Sequence, residues 1–285
     1  MGRQTKKKRI IYLTTAAKGL LVFIFFLLLV FIIPVRKVSI DINSLLTSAA
    51  IFYSILVGFF FSSAMADLNR LKTLVAEETG ALITIYYATL QSFPERVDAV
   101  KTAIDQYIIK RFDYEINNYT EPTTKNFFAI FAVFKDIKLN SDGDSTALTV
   151  IGNAFYYIPQ SRREVTIVGA PIITKTSKAL LYILSLIIII ALFLLRSGGV
   201  EAAIATSMLC SSAVLALLIL SDVDGNRFGE EEYSIKTYQA VFKALNLLPY
   251  YPSSYLDQGR YKPTEHTYRT GTYGTVETVT QNHRR

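Results

Sequence analysis

The stretch Leu45–Gly80 reads LLTSAAIFYSILVGFFFSSAMADLNRLKTLVAEETG, and its reading decides the fold. No charged residue occurs from Ile42 to Ala66, long enough to cross a hydrocarbon core of about 30 Å at about 1.5 Å per residue. No helix breaker follows. The apolar run continues through Asp67, Asn69, Arg70 and Lys72, which predicts one helix that leaves lipid and enters water. Ile51, Ile55 and Phe59 recur at i, i+4 and i+8 and therefore share one face of it.

The remaining composition agrees with a membrane protein. The 285 residues are 51% hydrophobic and 19% charged, and the apolar residues are concentrated in blocks. Four spans are expected, at Gly19–Val35, Ile42–Ala66, Ala179–Leu195 and Ala202–Ser221. The short links Arg36–Asp41 and Arg196–Glu201 pair them into two hairpins, 19–66 and 179–221. The fourth span is rich in Ala and Ser, with one Thr, and should pack inside protein. The third is apolar all round and should face lipid more. Arg3, Lys6, Lys7, Lys8, Arg9 and Lys18 precede the first span, and Arg70, Lys72, Lys175 and Lys178 flank the second and third. The positive-inside rule then places both termini and the central region 67–178 in the cytoplasm. The net charge of +7 fits anionic lipid better than nucleic acid, because basic residues flank the spans.

Within 67–178 amphipathic patterns predict helices after the rod, at about 95–118, 125–139 and 147–158, with a turn at Ser141–Ser145. Residues 222–251 form an acidic segment and a helix over 233–247. The tail 252–285, rich in Tyr, Thr and Gly without apolar periodicity, reads as disordered.

Catalytic signatures are absent. There is no P-loop, GxGxxG or HExxH, both histidines lie in the tail, and the single Cys210 excludes an internal disulfide. An enzyme is therefore not expected. Glu77 and Glu78 point about 100° apart on a helix and read as a solvated or subunit-facing pair. The run from Asp222 to Tyr233 carries enough oxygen ligands for a hard cation, or acids suited to cap the following helix.

Two motifs carry a resemblance. Leu56-Val57-Gly58-Phe59 with its polar continuation resembles the pore helix of bestrophins. Asn226-Arg227-Phe228-Gly229-Glu230-Glu231-Glu232 resembles the bestrophin segment after the last span, with Arg227 standing where that family has proline. The chain is most similar to the bacterial bestrophin-like family of unknown function. The resemblance implies an all-α integral membrane protein of four transmembrane helices in two hairpins with a cytoplasmic helical bundle. It would form a homo-oligomer, a pentamer, in a bacterial inner membrane. It implies an anion-selective channel whose pore neck is Ile51, Ile55 and Phe59, and it places Asn226 and Glu231 at calcium-ligand positions. The alternative is a non-conducting scaffold or sensor whose cytoplasmic helices bind a partner.

Overall fold

The computed structural model describes residues 15–35, 42–138, 141–226, 234–259 and 261–280. It is mostly helical, with 73% of the described residues in helix. The helices are α1 (Thr15–Ile32), α2 (Asn43–Ser92), α3 (Val97–Arg111), α4 (Thr124–Ala132), α5 (Asp142–Val168), α6 (Lys175–Leu195), α7 (Val200–Asp224), α8 (Lys236–Ala244) and the short α9 (Ser253–Asp257). Strands β1 (Tyr250–Pro252), β2 (Thr267–Thr272) and β3 (Thr275–Thr280) form one sheet. The chain divides into two compact units, one within Leu13–Leu68 and Pro171–Phe228, the other within Asn69–Ala170 and Gly229–Arg285.

The first unit is apolar. Among the described residues, three helices are long and apolar enough to cross a membrane: α2, α6 and α7. The first expected span forms α1, whose apolar length, Ala17–Ile32, is shorter than theirs. The expected contrast between the last two spans is present: the apolar window of α7 is 39% buried and that of α6 is 22%. Small side chains explain it. Ala203, Ser207, Cys210, Ser211 and Ala213 are buried along α7, and the Ser207 and Ser211 hydroxyls donate to the carbonyls of Ala203 and Ser207 four residues back. Ala49 and Tyr53 of α2 pack with Ile188 of α6 and Ala213 of α7. Tyr53 Oη donates to the Ala213 carbonyl at 2.5 Å. Ile173, Leu181 and Leu220 form a second, adjoining cluster against Leu56, Val57 and Phe60. The Arg196 guanidinium donates to the carbonyls of Val30 and Ile33, closing the C-terminal end of α1.

The second unit is polar outside and aromatic inside. α2 enters it with a buried stripe of Leu71, Leu74, Val75, Glu78, Leu82, Ile85 and Thr89. Pro94 follows α2 and opens a single 3₁₀ turn into α3. Helix α3 ends at Arg111, shorter than the expected 95–118, and α4 ends at Ala132. The expected turn at Ser141–Ser145 is instead the start of α5. Ser141 is its N-cap, its Oγ accepting the Asp144 N–H at 3.2 Å, and Asp142 and Asp144 lie in the first turn where negative charge is favoured. Helix α5 then runs through Pro159 to Val168, because Ile158, Ser161, Arg162 and Val165 keep its buried face in phase.

The expectation of disorder over 252–285 is corrected by the sheet as far as Thr280, where the described residues end. β1 pairs parallel to β2, and β2 antiparallel to β3. Thr, Tyr and Val suit a pleated surface, and Gly274 takes φ 90° in the two-residue turn. Arg269 fastens the sheet to α3 through two 2.8 Å bonds to Asp105, and its Nε donates to the Leu248 carbonyl. Arg269→Ala should cost about 2 kcal/mol locally, since a half-buried bidentate pair exceeds an exposed one. Hydrogen exchange should then accelerate in β2 and β3 and stay unchanged in α4.

Candidate functional sites: an exposed apolar helix face and a buried polar cluster

Each predicted neck residue lies on the open surface of the single chain. Ile51, Ile55 and Phe59 are 55%, 62% and 64% exposed. The opposite face of α2, through Ala49, Tyr53 and Val57, is the one that packs on α6 and α7. The helix phase that buries Tyr53 therefore turns all three outward together.

The acidic run divides. Asp222 pairs with Lys18 at 2.8 Å. Asp224 accepts the Ile172 and Ile173 N–H groups at 2.9 and 3.0 Å and pairs with Lys178 at 2.8 Å. These acids are engaged by neighbouring segments of the apolar unit. Asn226 follows the end of α7 with φ 55°, and its N–H donates to the Val223 carbonyl. Glu231 lies outside the described residues. Among the described residues, no group of three or more His, Cys, Asp or Glu side chains could hold a metal ion.

The second site lies in the polar unit and departs from the sequence reading. Glu78 is not a solvated acid: it is fully buried. The expected divergence from Glu77 does hold. Glu77 stays at the surface, within 3.5 Å of Arg70, and accepts the Ser161 hydroxyl. One oxygen of Glu78 accepts the Tyr107 hydroxyl, while the other accepts Tyr119 at 2.7 Å and Tyr238 at 3.1 Å. A carboxylate has only acceptors to offer, and three phenol donors suit it. Two guanidiniums are buried with it, Arg111 at 2% exposure and Arg162 at 3%. The Arg111 guanidinium carbon lies 4.7 Å from the Tyr119 ring centre and 4.4 Å from that of Tyr238, within cation–π range. Arg162 donates to the Thr120 carbonyl and to Thr123 Oγ1 at 2.5 and 2.8 Å.

The signal for this cluster was phase. Glu78 follows Leu71 by seven residues and Val75 by three. Arg111 follows Ile104 by seven, and Arg162 follows Phe155 by seven. Each charge stands in an apolar stripe, which a charge does only when the interior answers it.

Burial, and then the Glu78 carboxylate, push the Tyr107 and Tyr119 hydroxyls well above their ordinary value of 10.0, and burial raises Tyr238 likewise. A raised folded value contributes stability that is present below pH 10 and lost as pH climbs above it, because only the unfolded chain then releases its protons. Stability should be flat up to about pH 10 and fall beyond it by about 1.4 kcal/mol per pH unit for each tyrosine. Alkaline denaturation of the Tyr107→Phe variant should show a shallower slope.

The chain is thus mostly helical, with three helices among the described residues long and apolar enough to cross a membrane. It matches no family model, no curated protein and no solved structure.

Proposed function

We propose that the protein is a homo-oligomeric ion channel of the bestrophin-like kind, with α2 from each subunit lining the pore. The single observation that carries this reading is the outward stripe of Ile51, Ile55 and Phe59 on α2, whose apolar window is only 11% buried within one chain. A ring of such side chains is a constriction that closes by losing water. In this reading α1 is a fourth span, both termini lie on the cytoplasmic side, five copies surround the axis, and anions are the permeant species. A non-conducting scaffold is the second reading. It is favoured by Phe128, Phe131, Tyr156 and Tyr157, which are exposed on α4 and α5 of the polar unit.

Two measurements separate them. Native mass of the purified chain should be a multiple of 32.0 kDa, with five copies expected. Planar bilayers should then show unitary currents that reverse near the chloride potential. A monomer defeats the pore outright, and a silent oligomer leaves the scaffold.

A further inference from the structure

Among the described residues, the buried cluster carries one more positive charge than negative. Glu78 supplies one negative charge, and Arg111 and Arg162 supply two positive ones, so its described members sum to plus one. Arg111 is the member left unanswered. Its Nη1 donates to Ser234 Oγ at 3.3 Å, while its Nε and Nη2 are buried with no hydrogen-bond partner among the described residues. These two nitrogens form the side edge of the guanidinium, the fork that grips an anion with two parallel N–H groups. Arg70 shows the same edge in use: its Nε and Nη2 hold the two oxygens of Glu164 at 2.7 and 2.8 Å. A full fork buried without a hydrogen-bond partner among the described residues is rare in a protein interior, where buried donors are paired with protein, water or an ion.

We propose that the Nε–Nη2 edge of Arg111 is the receptor for a small monovalent anion, chloride in practice. One negative charge brings the cluster to neutrality. The enclosure of both nitrogens favours a single-atom ion over a phosphate or sulfate, which would also overcharge the site. The Arg162 Nε, likewise buried and unpartnered, adds positive potential to the same interior. The Tyr119 ring lies near both guanidiniums, 4.7 Å from the carbon of Arg111 and 5.9 Å from that of Arg162. The anion would be structural, and the site stands whether or not the protein conducts.

Thermal unfolding of the full chain in detergent tests this. Chloride is raised from about 1 to about 300 mM at constant ionic strength, with gluconate, too large to enter, as the balancing anion. The midpoint should rise by about 5 °C, as expected for a ligand that binds only the folded state. Bromide should act similarly, and Arg111→Gln should abolish the dependence while Arg269→Ala retains it. Should Arg111→Gln fail to fold, a crystal of the unaltered chain grown in bromide decides, with an anomalous peak expected against Nε and Nη2 of Arg111. A midpoint indifferent to chloride, or a bromide peak elsewhere with that edge occupied by water, overturns the proposal.

Discussion

Glu78→Ala should lower the stability of the polar unit by about 4 kcal/mol, whereas Glu77→Ala, one residue away, should change it by less than about 1 kcal/mol. The first substitution strands three buried phenol hydroxyls and removes the negative charge from a cluster that holds two buried guanidiniums. Each orphaned donor costs about 1–3 kcal/mol, and breaking a buried ionic arrangement costs about 3–5 kcal/mol, so the terms overlap near the upper single-residue range. The second removes surface contacts to Arg70 and Ser161, which water replaces. Glu78→Gln should fall between, at about 2 kcal/mol. It keeps the shape and one acceptor, but its amide N–H₂ must face a phenol. The chain has no tryptophan and 18 tyrosines, so tyrosine fluorescence during urea unfolding reports the change directly. Equal behaviour of the Glu77 and Glu78 variants would show that the cluster is ornamental.

The contrast between those neighbours marks what can be read from a linear pattern. The apolar blocks were plain because the bilayer imposes length and composition together. That α7 is the more buried of the last two blocks followed from its small residues. Glu78 was misread because pair geometry was weighed and phase was not: a glutamate is usually solvated, and only its register with Leu71, Val75 and Leu82 betrays the interior. The tail was misread for a related reason. Sheet formation has no 3.6-residue period, and a strand as exposed as Thr275–Thr280 shows little apolar alternation. Its anchor, Arg269 on Asp105, joins residues 164 positions apart, a distance at which local pattern is silent. Ser141 was read as part of a turn because Asp and Gly usually end helices, yet here they begin one.

The other large effect expected concerns the exposed stripe of α2. In the channel proposed above, Ile55→Ala combined with Phe59→Ala should raise single-channel current or open probability about tenfold. Water leaves a narrow apolar tube because the walls offer no hydrogen bonds, and an ion that must shed hydration there meets a barrier. Shortening two rings widens the tube and removes apolar surface at every subunit, and a tenfold gain requires only about 1.4 kcal/mol less barrier. Ile55→Asn should act in the same direction without widening the tube much, because a wettable ring holds water. Leu186→Ala supplies the comparison. Leu186 is as exposed on α6 as Ile51 is on α2, but in the proposed channel α6 does not line the pore, and its side chains have no reason to govern conduction. The polar variant also separates the alternatives on stability. At a pore position asparagine meets water and costs little, whereas against acyl chains it buries an amide in hydrocarbon and should destabilise the chain by about 2 kcal/mol or more. A destabilised Ile55→Asn variant without current would place this face against lipid and leave the scaffold reading in possession of the molecule.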